Sequence, residues 1–116
     1  MSLTLYGLKN CDVTREAQAW LRARGAAFAF HDYKESGLDR TTLERWAAKA
    51  GWEVLLNKRG TTFRGLSVAD KEALDEAKAL GLMLTHTSLI KRPVLDDGTV
   101  VLVGFDATKW ARAVNA

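Results

Sequence analysis

Hydrophobic and polar positions near the N-terminus alternate in two short segments, and between them lies a stretch with a helical period. Residues 3–6 and 27–33 are rich in β-favouring side chains and predict two strands. Between them, apolar side chains recur every three or four residues and predict a helix that starts at Cys11 or Asp12, with Asn10 as its N-cap. A strand, a helix and a strand within about 30 residues imply a right-handed crossover between parallel strands.

The middle of the chain carries helical patterns and one polar segment. A capping-box pattern over residues 41–44 opens a second helix that Gly51 ends, and a similar start over residues 67–70 opens a third helix that continues through Leu80. Residues 57–64 are too polar and too marked by glycine to be core, so we predict a loop with a functional role there.

The last part of the chain has the pattern of a hairpin followed by a helix. Residues 94–95 and 100–103 are β-rich runs on either side of an Asp-Asp-Gly turn, and Asp106 is placed to cap a final helix. The complete order is βαβ, then helices, then ββα. This order predicts an α/β, thioredoxin-like fold with a helical insertion, in a single domain over residues 1–116.

Length, cysteine count and charge narrow the classes of function. The chain has 116 residues, a size that suits one domain. Its single cysteine excludes an intramolecular disulfide and thiolate-rich metal sites, and with only two histidines besides we expect no metal cofactor. The net charge of +3 comes from charges that alternate in sign, which favours a small anionic ligand over direct nucleic-acid binding.

The location of the protein is predicted from two further patterns. The first residues show no basic stretch ahead of an apolar core, as a secretory signal would. No apolar run approaches the ~18 residues needed to cross a bilayer. We therefore expect a cytoplasmic protein that does not act at a membrane.

Cys11 is the main candidate for chemistry. It follows a strand and a short turn, and exposed backbone N–H groups at a helix start stabilise a thiolate there. Such placement lowers a thiol pKa from about 8.5 to about 3.5–7.5. Lys9 and Arg15 add positive charge, with Arg15 on the same helical face as Cys11. Free cysteines are often small buried hydrophobes, but Cys11 lies outside the apolar stripe of its helix, which favours a reactive thiol.

The position three residues after Cys11 holds Thr14, so the two-cysteine redox motif is absent. Any disulfide that Cys11 forms must therefore be intermolecular. A hydroxyl at position 14 can still donate a hydrogen bond to the thiolate. This is compatible with a one-cysteine redox cycle that uses an external thiol.

Arg92 and Pro93 form the second candidate feature. Pro93 is the only proline and lies at a strand start, where its missing N–H is tolerated and where X-Pro bonds can be cis. In a thioredoxin-like layout this position faces the cysteine, and the planar fork of Arg92 suits a carboxylate or an oxyanion. The alternative is an edge-strand proline beside a solvated arginine. In the polar segment, Arg59 or Arg64 can bind an anion, or the segment is a solvated connection.

These residues together resemble the arsenate reductase-related ArsC/Spx family, and most closely its short YffB-like branch. The resemblance runs over nearly the whole chain. It is carried by the following segments: Tyr6-Gly7 with Lys9-Asn10-Cys11-Asp12, Phe30-His31-Asp32-Tyr33, Gly51-Trp52-Glu53 with Leu55-Leu56-Asn57, Arg59-Gly60-Thr61-Thr62 with Arg64, Ile90-Lys91-Arg92-Pro93, and Val103-Gly104-Phe105.

The resemblance implies a thioredoxin-like fold with a helical insertion, a nucleophilic Cys11, and Arg92 beside a cis Pro93 as the anion-binding partner. The YffB-like branch implies a glutathione-dependent thiol reductase in which basic side chains hold the carboxylates of the tripeptide. Glutathione is then the co-substrate, and glutaredoxin or another small thiol is a further partner. Substrate binding is assigned to these residues: Lys9, Asn10, Arg15, Asn57, Arg59, Arg92 and Pro93.

Two other functions within the family stay open. Members that reduce arsenate, with glutathione and glutaredoxin, carry a histidine where this chain has Gly7 and arginines where it has Asn57 and Gly104. Spx-like transcriptional regulators bind RNA polymerase and typically carry a two-cysteine switch, which Thr14 removes here. Gly51 lies near the position that such regulators use at their polymerase contact, although a glycine that ends a helix is explained as a C-cap.

Overall fold

A computed structural model describes residues 3–114 of the chain. These residues form two compact units. Unit 1 contains the described residues up to Ser36 and from Arg92 onwards, and unit 2 contains Gly37–Lys91. That the whole chain behaves as one domain stays a prediction.

The helices and strands follow one another in the order βα, βα, five helices, ββα. In chain order they are β1 (Thr4–Gly7), α1 (Asp12–Ala23), β2 (Ala29–Asp32), α2 (Tyr33–Ser36), α3 (Arg40–Ala50), α4 (Trp52–Leu55), α5 (Thr61–Arg64), α6 (Val68–Lys71), α7 (Glu76–Thr85), β3 (Val94–Asp96), β4 (Val101–Val103) and α8 (Ala107–Val114).

The four strands of unit 1 form one sheet in the order β2-β1-β3-β4. β1 and β2 are parallel, and β3 is antiparallel to both β1 and β4. The predicted βαβ crossover and the predicted hairpin are therefore confirmed. Gly7 lies opposite Asp32, and Tyr6 lies opposite Val94. As a result β1 and β2 both end, and β3 begins, at the same side of the sheet.

The core of unit 1 lies between the sheet and the two longer helices. Leu5 and Leu95 from the sheet pack with Ala17 and Leu21 from α1 and with Trp110 from α8, all of them buried. These helical side chains lie on one face because they are spaced at three or four residues. The Trp110 indole N–H donates to the carbonyl of Gly104 at 3.0 Å, which satisfies its one donor in the core.

Unit 2 is helical, as the predicted insertion requires. α3 buries Leu43, Trp46 and Ala47 and contacts both α4 and α7. A single antiparallel bridge joins Leu56 to Ile90. These three side chains share one face of α3 because their spacing of three and four residues follows the helical period.

α1 starts at Asp12, one of the two predicted positions, but the cap residues of α1 and α3 differ from the predictions. Cys11, not Asn10, occupies the N-cap position of α1, because the Cys11 N–H closes a turn onto Leu8 O at 3.0 Å and Asn10 stays within that turn. Asp39, not Thr41, caps α3: its carboxylate accepts from the Thr42 N–H at 2.7 Å. In α3 a stronger capping acceptor just upstream moves the cap, whereas in α1 the cap moves one residue downstream.

The predicted third helix is two helices. α6 starts at its predicted cap, Ser67, but the chain turns at Ala73, whose φ is +49°. Asp75 then caps α7 by accepting from the Lys78 N–H at 2.8 Å. The Lys78 ammonium donates to the carbonyl of Ala69 at 2.6 Å, so α6 keeps a partner for one of its carbonyls.

The predicted polar loop is also partly helical, since α5 occupies residues 61–64. Residues 57–60 form the turn before it, in which the Asn57 side chain accepts from the Arg59 N–H at 3.1 Å. Within residues 3–114, no helix has the length and apolar character needed to cross a membrane.

Candidate active site

Sheet register brings the predicted nucleophile and the predicted anion-binding arginine to one place in unit 1. β1 runs into the loop that carries Cys11, and β2 ends beside it because the two strands are parallel. β3 is antiparallel to β1, so its first residues, preceded by Arg92 and Pro93, lie where β1 ends. The Arg92–Pro93 peptide bond is cis.

Cys11 is the N-cap residue of α1, with extended backbone angles, and its side chain accepts no capping hydrogen bond of ordinary geometry. An N-cap side chain normally accepts from the N–H groups of the second or third helical residue. Those residues are Val13 and Thr14. The Cys11 sulfur therefore occupies the position of a capping acceptor. A thiolate accepts hydrogen bonds more strongly than a neutral thiol, so the ionised form is the better cap.

The pKa of the Cys11 thiol lies below the ordinary value of a cysteine. Partial burial opposes ionisation and is the largest single influence. Hydrogen bonds from the Thr14 side chain, the Thr14 N–H, the Arg92 guanidinium and the Val13 N–H together outweigh it. The thiolate is thus stabilised by helix-start N–H groups, a hydroxyl and one guanidinium.

Arg92 is held by a second buried partner, Tyr33. Tyr33 is the first residue of α2 and is only 1% exposed. Its burial, the largest influence, raises the pKa of its hydroxyl, while the hydrogen-bonded Arg92 guanidinium lowers that pKa in part. The tyrosine therefore remains neutral and can accept a hydrogen bond from Arg92, whose guanidinium also reaches the Cys11 sulfur.

Asp32 ties the Cys11 loop to β2 and α2. Its carboxylate is 8% exposed. One oxygen accepts from the Lys9 N–H at 3.0 Å, and the other accepts from the Lys34 and Glu35 N–H groups at 2.9 and 3.1 Å. Asp32 therefore joins the Cys11 loop to the end of β2 and the start of α2 through backbone N–H groups.

The thiol opens onto a cavity of about 500 Å³ in unit 1. Its lining combines cations with carboxylates: Leu8, Lys9, Asn10, Cys11, Asp32, Lys34, Glu35 and Arg92. Such a volume suits a small organic molecule. Within residues 3–114 no cluster of three or more His, Cys, Asp or Glu side chains could hold a metal ion.

Lys9 and Arg15 are each paired with a nearby carboxylate, and their binding of substrate stays a prediction. The Lys9 ammonium faces the cavity but is paired with Glu35, and the hydrogen bond that it donates to that carboxylate is the main cause of its raised pKa. Arg15 pairs with Asp12 on the exposed side of α1, and it does not line the cavity that contains Cys11. Asp12 lies three residues before Arg15 on the same face of the helix, and this spacing favours the local ion pair.

The other predicted binding residues belong to unit 2. Asn57 and Arg59 line a cavity of about 470 Å³ together with Glu53, Leu56, Lys58 and Lys91. Three of these side chains are cationic, which suits an anionic group. That Asn57 and Arg59 bind substrate stays a prediction.

Sequence reasoning missed Tyr33, Lys34 and Glu35 as parts of this site. A signal for them exists, since they directly follow a strand that was predicted to be parallel to β1. The carboxyl ends of parallel strands meet at one side of a sheet, and residues just beyond them converge there.

Comparison with known proteins identifies relatives along almost the entire chain. A model of the ArsC family matches residues 6–113. An uncharacterized protein of Haemophilus influenzae is 38% identical over 111 residues, which cover 96% of this chain and 97% of that protein.

A solved structure of a YffB protein superposes with a TM-score of 0.94 at 50% identity and covers 97% of this chain and 99% of its own. A more distant relative is the global transcriptional regulator Spx of Streptococcus pneumoniae, which is 27% identical over 106 residues. Those residues span 90% of this chain and 79% of the regulator. The predicted thioredoxin-like fold and the predicted relationship are both confirmed.

Proposed function

The chain belongs to the ArsC family, and on that premise we propose that it is a glutathione-dependent thiol–disulfide oxidoreductase with Cys11 as its nucleophile. The family relationship supports a thiol-based reductase in general terms. The choice of glutathione and of Cys11 is our own inference. The observation that carries it is the lowered pKa of Cys11 at the mouth of a cavity lined by Lys9, Lys34 and Arg92.

The cavity has the charges that glutathione would need. The tripeptide carries two carboxylates and one ammonium group, and the lining offers three cations with two carboxylates. We assign the Arg92 guanidinium to one glutathione carboxylate, because its fork binds two oxygens at once. Lys9, Lys34 and Asn10 supply further donors, while Glu35 suits the ammonium group.

The reaction proceeds through a mixed disulfide. The Cys11 thiolate attacks the glutathione sulfur of a disulfide between glutathione and a second thiol. The Cys11–glutathione bond forms, the original S–S bond breaks, and the second thiol leaves as a thiolate that takes up a proton from water.

A second glutathione thiolate then attacks the glutathione sulfur held by Cys11. Glutathione disulfide leaves, and the Cys11 thiolate is regenerated. Because the chain has one cysteine, this resolving thiol must be external. Glutaredoxin is a second candidate for that role, and we place the activity in the cytoplasm, where glutathione is abundant and reduced.

Intact-mass measurement after incubation with glutathione disulfide tests the proposal. We expect one glutathione adduct on the wild type and none on Cys11→Ser. Arg92→Ala should form the adduct more slowly, whereas Arg112→Ala, which removes an exposed arginine from α8, should match the wild type. A wild type that iodoacetamide labels fully but glutathione disulfide leaves unmodified would refute the proposal.

Arsenate reduction fits the site less well. The histidine of arsenate-reducing relatives falls at Gly7, where even a Cβ would lie 2.6 Å from the Thr14 hydroxyl oxygen. Direct assay of arsenate turnover with glutathione and glutaredoxin decides this alternative. Turnover that is lost in Arg92→Ala would restore it.

A regulatory function is the second candidate, because a relative is a global transcriptional regulator. Gly51 has a φ of +93° and its N–H donates to Ala47 O at 2.8 Å, so a C-cap explains this glycine without a partner. Retention of purified RNA polymerase on the immobilised protein at physiological salt would support regulation. No retention by a preparation that still forms the adduct would exclude it.

A further inference from the structure

Thr14 carries a buried hydroxyl whose presence the packing does not explain. The residue is 0% exposed. Among the described residues its oxygen has no hydrogen-bond partner of ordinary geometry. A threonine in a helix usually bonds to a carbonyl of the preceding turn, and burial of an unpaired hydroxyl destabilises a protein.

Gly7 makes room for this side chain. A Cβ built on Gly7 would lie 2.6 Å from the Thr14 hydroxyl oxygen and 2.7 Å from its methyl carbon. Cβ atoms in real structures do not come so close to atoms to which they are not bonded. The last residue of β1 must therefore lack a side chain for Thr14 to occupy its position.

The acceptor near this hydroxyl is the Cys11 sulfur. Thr14 is the third residue of α1, three positions after Cys11, so both its N–H and its hydroxyl are directed towards the N-cap side chain. Both groups act on the sulfur as donors. The hydroxyl falls short of ordinary hydrogen-bond geometry, and an ionised sulfur attracts such a donor more strongly than a neutral thiol does.

We propose that Thr14 is a catalytic residue whose hydroxyl is left unpaired so that it can donate to the Cys11 thiolate, with Gly7 kept bare to hold it there. The inference rests on the proposed function. In the resolving step the electron pair of the broken Cys11–glutathione bond passes to Cys11 Sγ. The Thr14 hydroxyl stabilises that leaving thiolate, as the second cysteine of a two-cysteine motif otherwise would.

Titration of the thiolate tests this role without glutathione. Because Cys11 is the only cysteine, the ultraviolet absorbance of thiolate reports on it alone. We expect Thr14→Val, which keeps the shape but lacks the hydroxyl, to raise the Cys11 pKa. Thr14→Ser, which keeps the hydroxyl, should retain the low pKa, and so should Thr108→Val, a control at an exposed position of α8.

Two further measurements separate this role from a structural one. Reduction of the purified Cys11–glutathione adduct by glutathione should slow by about threefold or more in Thr14→Val, because a more basic thiolate leaves more slowly. In urea at a pH where the thiol is neutral, Thr14→Val should unfold at an equal or higher midpoint, since it removes an unpaired buried hydroxyl. A purely structural Thr14 predicts a lower midpoint.

An unchanged Cys11 pKa in Thr14→Val would overturn the inference, even if the wild type forms the glutathione adduct. If Thr14→Val does not fold, Thr14→Ala and Thr14→Ser provide the same comparison. If Thr14→Val raises the Cys11 pKa but the wild type forms no glutathione adduct, only the proposed function is contradicted. The two failures are therefore distinguishable.

Discussion

Replacement of Asp32 by asparagine removes a carboxylate that three backbone N–H groups share. One oxygen accepts from Lys9 at 3.0 Å, and the other accepts from Lys34 and Glu35 at 2.9 and 3.1 Å. An amide has a single acceptor oxygen. Whichever way the asparagine is turned, its NH₂ group therefore faces at least one backbone N–H.

The expected loss of stability follows from these bonds. In the milder orientation the amide oxygen keeps the two bonds to α2, and the third bond is replaced by a contact between two donors. A hydrogen bond to a charged group contributes about 1.5–3 kcal/mol, so we expect the free energy of unfolding of Asp32→Asn to fall by about 1.5–3 kcal/mol at neutral pH. The opposite orientation loses two bonds and destabilises more.

The pKa of Asp32 determines how this loss depends on pH. Burial raises that pKa, but hydrogen bonds from the N–H groups of Lys9, Glu35 and Lys34, followed by the charge of Lys9, lower it below the ordinary value. The stabilisation is therefore complete above the unfolded pKa of about 3.9 and is lost as the pH falls through the folded pKa. The difference between wild type and variant should shrink on acidification.

Urea unfolding followed by circular dichroism measures both effects, at neutral and at acidic pH. Glu16→Gln, which removes an exposed carboxylate from the middle of α1, is the matched control and should stay within about 0.5 kcal/mol of the wild type. The argument fails if Asp32→Asn behaves like this control at neutral pH. It also fails if the difference is constant as the pH falls.

Three other substitutions test separate parts of the structure. Gly7→Ala should lower the free energy of unfolding by about 1–3 kcal/mol through overpacking, and Thr14→Ala should recover most of that loss; additive effects in urea would contradict the contact. Tyr33→Phe should slow adduct formation with glutathione disulfide more than reaction with iodoacetamide when the thiol is fully ionised, because Arg92 loses a partner that positions it; equal slowing would contradict this. Asp39→Ala should destabilise α3 by about 1 kcal/mol in urea unfolding, and Asp39→Ser should restore most of it; an unchanged midpoint would show that the cap contributes nothing.

Local signals located most elements because caps, turns and apolar periods act within a few residues. The parallel pair of β1 and β2 and the hairpin of β3 and β4 were predictable in this way. The cap residues of α1 and α3 were not predictable in this way, although Ser67 was correctly predicted as the cap of α6. Asp39 and Cys11 hold the cap positions because of the path by which the chain enters each helix, and this path depends on packing.

The site was predictable to the same extent. A cysteine at a helix start and an Arg-Pro pair at a strand start are visible in the printed sequence, and both reach the same cavity. The sequence predicted that Arg15 adds positive charge near Cys11. In the structure its guanidinium pairs with the Asp12 carboxylate, which offsets that charge. Tyr33 was not predicted as part of the site, and it lies there because it directly follows β2.

The sequence by itself determined that one thiol stands at the start of a helix and that any disulfide it forms must be intermolecular. Only the tertiary structure decided which groups surround that thiol. Strand register places Asp32 beside the end of β1 and Arg92 beside Cys11, and the buried Thr14 hydroxyl has no ordinary partner among residues 3–114. Register and burial arise from contacts between residues far apart in the chain, and no pattern within a few residues specifies them.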